Sequence, residues 1–293
     1  MADDKSEETG LGELEVDEGL FGFDVGVEEG GDEGSGFRFQ NDPSRPQQRS
    51  NITERKGAID VRCVGKDVIH GFLKEGEDPA TLIVYEFQFD PRKPGRRIIS
   101  IDAEFAFASR VGGAEPEVLS IAPKGRQQLV ETKQTESTTN SREGKLGAAQ
   151  FGAELAGSLK WEKTISRETT DATTIVGTID TKGRNYGAPN AVSWTLLENG
   201  STQTGVPSFF RTAVLLKRED DGEFESTFQI KVKADMASRL SSLFGSTPKD
   251  DPIIYDPTMK PTNKLRKYDT DNLEEINLQD LSLVGFTHPT SGK

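Results

Sequence analysis

The chain of 293 residues contains a single cysteine, Cys63. No disulfide can close within it, and no zinc site can be built on paired thiolates. Only two histidines are present, His70 and His288, too few for most histidine-built metal sites and far apart for a triad. Apolar residues make up 33% of the chain. None of their runs approaches the roughly 18 residues that a membrane-spanning helix requires. The acidic N-terminus has no apolar core of a secretory signal. The sequence also lacks a phosphate-binding glycine loop ending in Lys-Ser/Thr, a G-x-S-x-G nucleophile elbow and an H-E-x-x-H zinc motif. These absences point to a protein that is not an enzyme and carries no cofactor. The lone thiol fits a reducing, cytoplasmic setting.

Carboxylates, by contrast, are abundant: 49 Asp and Glu against 36 Lys and Arg, a net charge of −13. Such a balance disfavours nucleic acid, whose phosphates need bases, and no specific nucleic-acid partner is expected. The charge is concentrated. Residues 1–36 hold thirteen carboxylates against Lys5, which accounts for −12 and leaves −1 for the rest. With many glycines and few hydrophobes, residues 1–50 read as a disordered acidic tail. Its apolar residues gather at Leu20, Phe21, Phe23, Val25 and Val27, a patch able to fold on a protein partner. Bases cluster twice in the body: Arg92, Lys93, Arg96 and Arg97 in one turn, and Lys260, Lys264, Arg266 and Lys267 in a late loop. These eight are the candidate contacts for an anionic partner, or for the acidic tail itself.

From residue 55 to 293 the pattern is that of one all-β domain. Residues 82–89, 98–107, 151–165 and 224–234 alternate apolar and polar residues with a period of two, which puts one set inside a strand's buried face. Further strands are expected at 58–64, 68–73, 117–122, 173–180, 191–197 and 209–217, with an edge strand in the run Leu281, Leu283, Val284 and Phe286. Short turns at Asp90–Gly95 and at Asp220-Asp221-Gly222 predict two hairpins, pairing 82–89 with 98–107 and 209–217 with 224–234. About ten antiparallel strands imply a two-sheet sandwich or a flattened barrel. One short helix is predicted near 236–244. The Pro-rich stretch 246–271 reads as a loop wrapped over the sandwich through Ile253, Ile254, Tyr255 and Leu265. The Ser/Thr-rich segment 126–181 reads as a long hairpin with its tip near 140–147.

Individual residues add little chemistry. His70 reads as a strand-end histidine and Cys63 as a small buried hydrophobe. Trp161 and Trp194 fall on inward-facing positions, where an indole N–H seeks a carbonyl. The sequons at Asn51 and Asn199 read as accidental.

At Thr81-Leu82-Ile83-Val84-Tyr85-Glu86-Phe87-Gln88-Phe89-Asp90-Pro91 with Arg96-Arg97-Ile98, and at Trp194–Asn199 followed by Gly205-Val206-Pro207, the chain resembles an uncharacterised group of proteins from filamentous fungi. The resemblance spans roughly residues 55–235. It implies a soluble intracellular protein and transfers no activity and no functional residue.

Two function classes follow. The first is a non-enzymatic interaction module: a β-sandwich whose loops, or whose acidic arm, hold a protein partner. The second is a membrane-acting, pore-forming type of β-protein. There the amphipathic hairpin in 126–181 would insert, since an inserting hairpin alternates lumen-polar with lipid-apolar residues over roughly ten residues per strand. Oligomeric state is not legible in the sequence.

Overall fold

The computed structural model describes residues 21–25, 39–56, 59–92, 96–110, 112–144, 159–235 and 250–286. Thirteen strands run through them: β1 (Phe21–Val25), β2 (Asn51–Arg55), β3 (Ile59–Phe72), β4 (Pro79–Pro91), β5 (Ile98–Ser109), β6 (Glu117–Ala122), β7 (Gly125–Gly144), β8 (Leu159–Asp180), β9 (Ala191–Leu197), β10 (Phe209–Lys217), β11 (Phe224–Ala234), β12 (Ile253–Tyr255) and β13 (Leu283–Gly285). They form two antiparallel sheets. One has the order β1-β11-β5-β9-β8-β7, with β12 also on β11; the other has β13-β10-β4-β3-β2, with β6 also on β10. The architecture is the all-β sandwich that the alternation predicts, and among the described residues neither sheet closes into a barrel. The helix expected at 236–244 lies outside the described residues, as does most of the acidic tail.

Both predicted hairpins are corrected. β4 lies in the six-stranded sheet and β5 in the seven-stranded one; β10 and β11 are divided in the same way. The turns after Pro91 and after Lys217 therefore carry the chain from one sheet to the other. A short turn between two alternating strands serves a hairpin or a sandwich corner equally well, and the choice is made by which sheet each apolar face closes on. The two strands expected at 58–64 and 68–73 are one, β3, interrupted by an irregularity between Gly65 and Asp67.

The faces of the two sheets meet in an aromatic core. Tyr85 stacks on Phe105 at 4.0 Å between ring centroids, and Phe105 lies 4.6 Å from Phe228. Phe87 packs 5.8 Å from Phe210. Trp194 is fully buried, and its indole N–H donates to the carbonyl of Pro123 at 3.0 Å. Cys63 is buried too, which pushes its thiol pKa well up and leaves it inert. A second cluster, with Ile69, Leu82, Val84, Ala213 and Leu215, lies on the outer face of the six-stranded sheet under Leu273, Leu278 and Leu281. That sheet is thus covered on both sides in its middle, where one wet face is expected from alternation alone. The near-continuous apolar run Leu82-Ile83-Val84-Tyr85 in β4 is the sequence mark of such double burial.

His70 does not sit at an open strand end. It is buried, with its Nδ1 2.9 Å from the Thr81 hydroxyl and its Nε2 2.7 Å from the Gln48 side-chain amide. The amide N–H donates to Nε2, so the proton of the neutral ring sits on Nδ1. Burial, reinforced by the Arg218 charge, pushes its pKa from 6.5 down to about 4. The unfolded chain then binds the extra proton first, so His70 contributes its stability in full above pH 6.5 and loses it as the pH falls toward 4. The loss amounts to about 3 kcal/mol. Urea midpoints measured between pH 7 and pH 4 should fall steeply in the wild type and less steeply in His70→Gln. Identical slopes would remove His70 from the account.

Candidate functional site

The longest of the described strands, β7 and β8, pair with each other antiparallel, as the long hairpin expected in 126–181 requires. Only its base belongs to the sheet. β9 pairs with β8 from Thr174 to Asp180 and no further. Beyond that level β7 and β8 continue as a ladder of fourteen pairs, from Glu131 opposite Ala172 to Gly144 opposite Leu159. Among the described residues no third strand pairs with this part. At 3.4 Å per residue the free ribbon is about 45 Å long. Residues 145–158, between the two strands, lie outside the described residues. The ladder thus corrects the tip expected at 140–147, because residues 140–144 are still paired.

Three local features set where the ribbon leaves the sheet. The ladder is irregular between Gln128 and Glu131, so Leu129 and Val130 stand against Thr173 alone. Such a bulge bends and twists the strand that carries it. Below it, Gly177 lies under Pro123, and a Cβ there would come within 2.1 Å of the Pro123 carbonyl oxygen. Only glycine permits that approach, which seats β8 against Trp194. Above it, the loop following β9 closes round Asp171. The Asp171 carboxylate accepts from the Ser201 backbone N–H at 2.9 Å, and its carbonyl accepts from the Asn199 side-chain amide at 3.2 Å. Asn199 is fully buried, and its side-chain oxygen in turn accepts from Ser201 and Thr202 N–H. Its sequon is therefore closed to a glycan in the folded protein. Alternation marks the hairpin in the sequence, but nothing there marks Asp171 as an anchor, and Asn199 does not stand out as its partner.

Register sorts the ribbon by composition. Opposed residues of an antiparallel pair share a face. Leu159, Trp161 and Ile165, opposite Gly144, Arg142 and Thr138, fall on positions of one parity together with Lys163 and Arg167. The other parity, from Lys160 through Glu162, Thr164, Ser166 and Glu168 to Thr170, is polar throughout. The apolar positions thus gather toward the far end of the ribbon.

Solved structures similar to the chain include a "Pore forming protein", at 9% identity over 70% of this chain and 84% of that one, with a TM-score of 0.29. The Clostridium perfringens delta-toxin is 9% identical over 70% of this chain and 92% of that one, at a TM-score of 0.25. The Clostridium perfringens NetB toxin in its membrane-inserted form is 10% identical over 67% and 92%, at 0.21. Scores of this size carry no weight for function. No protein-family model matches the chain, nor does any curated protein.

The eight predicted bases do not converge. Arg92 is exposed and spends its guanidinium on Asp60, with Nε 2.6 Å from the carboxylate. Lys93 lies outside the described residues. Arg96 and Arg97 line a cavity of about 480 Å³. Lys260 and Lys264 line a different one, of about 560 Å³, beside Arg45 and Arg49. Arg266 stacks its guanidinium 5.1 Å from the Tyr268 ring centre, and Lys267 is exposed. The apolar patch of the acidic tail reaches the fold: β1 adds to the edge of β11, with Phe23 opposite Val232 and Asp24 opposite Lys231.

Proposed function

We propose that this protein acts on membranes and inserts the far part of the β7–β8 hairpin as two strands of an oligomeric β-barrel. The observation that carries this reading is the free ribbon: fourteen ladder pairs that no other described strand covers. From Thr138 and Ile165 outward each strand has seven ladder residues, and the sequence between them keeps alternating through Phe151, Ala153 and Leu155. Together they supply the roughly nine to eleven residues per strand that a tilted membrane crossing takes. A two-stranded ribbon cannot enter a bilayer alone, because its two edges present unpaired N–H and C=O groups. Several copies side by side satisfy both edges and close a barrel, so membrane action entails a homo-oligomer.

The register supplies the test. Leu159 and Ser141 fall on opposite parities of the ladder, well inside the part that crosses. A lysine on the lipid side near mid-bilayer costs about 2–4 kcal/mol, whereas one on the lumen side is tolerated. Release of dye from liposomes should fall by about tenfold or more in Leu159→Lys and stay near wild type in Ser141→Lys. Equal effects of the two variants would refute insertion by this hairpin. If no liposome leaks under any lipid composition or pH, the interaction-module reading takes its place.

A further inference from the structure

The cleft of about 560 Å³ between residues 40–50 and the Pro-rich loop is lined by four bases, Arg45, Arg49, Lys260 and Lys264. One carboxylate, Asp42, is set against them, and it already accepts from the Ser44 N–H and hydroxyl. Arg49 donates to the Asp251 carbonyl at 2.6 Å and feels the Asp250 and Asp251 charges. The other three bases are exposed, and among the described residues no ion pair or hydrogen bond engages their side chains. Lys66, nearby, has its pKa lowered by burial first and then by the charges of Arg211 and Lys264. Positive charge is thus in excess here, on side chains that solvent reaches.

The bases are also held in place. Thr262, between Lys260 and Lys264, donates its N–H to the Val68 carbonyl at 3.2 Å, and its hydroxyl accepts from the Val68 N–H at 3.0 Å. The Lys264 N–H donates to Asp67 at 2.6 Å. On the facing wall the Gln48 N–H donates to the Ile254 carbonyl at 2.7 Å. Gln48 and Asn263, at φ of 50° and 46°, are two of the three non-glycine residues with left-handed backbone among the described residues. Such conformations cost free energy and gather at ligand sites, and each of the two segments that form this cleft carries one.

We infer that this cleft binds a polyol ring carrying two or more phosphate groups, an inositol phosphate either free or as a lipid headgroup. Unpaired cations around a cleft of small-molecule size call for several negative charges close together, and guanidinium and ammonium both suit phosphate. A single phosphate would leave most of the bases unused. No aromatic ring lines the cleft, so a nucleobase would find nothing to stack on. Met259 is the only apolar side chain in the lining, so an acyl chain has no wall to lie against. The remaining lining is amide and hydroxyl, as at Gln47 and Ser50, which suits ring hydroxyls. Through Gln48 the cleft is tied to β12, which lies toward the edge of the seven-stranded sheet opposite β7. Occupying it leaves the hairpin clear, and the inference does not rest on the proposed membrane action.

Isothermal titration calorimetry with inositol trisphosphate tests it. The wild type should bind at one site. Arg45→Gln and Lys264→Gln should each weaken binding by about tenfold, the loss of one charge-assisted contact. Lys124→Gln removes an exposed base elsewhere and should leave binding unchanged. Arg45 and Lys264 come from facing walls, so if one variant does not fold, judged by its thermal melt, the other decides. Absence of binding by the wild type would overturn the site, as would equal losses in all three variants. Inorganic phosphate competing as well as the trisphosphate would reduce it to a general anion site and overturn the polyol. Vesicles separate the two sources, and either result keeps the site. Binding to phosphatidylcholine with phosphatidylinositol bisphosphate, but not with phosphatidylserine at equal charge, assigns the ligand to a membrane. Binding of the trisphosphate alone makes the ligand a soluble one. The two proposals fail separately: leakage without trisphosphate binding leaves the pore, and trisphosphate binding without leakage leaves the cleft.

Discussion

Replacing Asp67 with asparagine should lower the unfolding free energy by about 3 kcal/mol or more and free the loop from Thr262 to Tyr268. Asp67 is fully buried. Its Oδ1 accepts from the Thr262 hydroxyl at 2.9 Å and the Lys264 backbone N–H at 2.6 Å. Its Oδ2 accepts from the Leu265 N–H at 3.1 Å and the Tyr268 hydroxyl at 2.8 Å. Burial and this last bond together push the Tyr268 pKa well above its ordinary value. An asparagine keeps the shape but turns one acceptor oxygen into a donor NH₂. One backbone donor, the Lys264 or the Leu265 N–H, would then face another donor, because only the hydroxyl on that side can turn and accept instead. Bonds to a charged acceptor are worth about 1.5–3 kcal/mol each, and the substitution breaks one outright and takes the charge from the other three. Urea unfolding measures the stability. Limited trypsin digestion reads the loop, where Lys264, Arg266 and Lys267 are already exposed. Unchanged urea midpoints and an unchanged digestion pattern would show that Asp67 does not anchor the loop.

Asp250→Ala should cost about 3–5 kcal/mol. Arg55 and Asp250 form an ion pair at 3.0 Å with only 4% and 1% of their side chains exposed. Asp250 also accepts from the Phe39 backbone N–H at 2.7 Å, and neighbouring Asp251 accepts from Asn41 N–H at 2.9 Å. These contacts tie residues 39–41 to residues 250–252, more than two hundred positions away. Removing the carboxylate leaves a buried guanidinium without its counter-charge, the costliest way to break such a pair. Removing both partners, in Arg55→Met with Asp250→Leu, leaves no stranded charge and should recover part of the loss. A double variant less stable than Asp250→Ala would contradict this explanation, and so would a single variant within about 1 kcal/mol of wild type.

Both predictions concern residues that the sequence does not single out. Asp67 follows a lysine in an otherwise ordinary strand, and Asp250 stands in the pair Asp250-Asp251, whose composition suggests a solvated turn. Their importance comes from partners far along the chain. Sequence spacing cannot bring Asp67 to Tyr268 or Asp250 to Arg55; only the path of the Pro-rich loop does. The same holds for the basic clusters. Arg96 and Lys264 read alike as loop charges, but one lines a mostly apolar cavity and the other a polar one.

Period-two alternation, a local property, determined by itself that the body is all β, where most of its strands lie and that 126–181 contains a long hairpin. A strand exposes alternate residues to opposite sides whatever its partner, so its buried face can be read without knowing what covers it. The sequence also determined that the acidity lies in the first 36 residues. Tertiary structure decided the rest. It sent β4 and β5, and likewise β10 and β11, to different sheets, because a short turn is neutral between hairpin and corner. It also stopped β9 at Leu197 opposite Thr174, which turned the remainder of an ordinary pair of strands into a free ribbon. Strand length is written in the sequence, but the point at which the neighbouring strand ends relative to it is a matter of register between segments, and register is fixed only when the sheets pack.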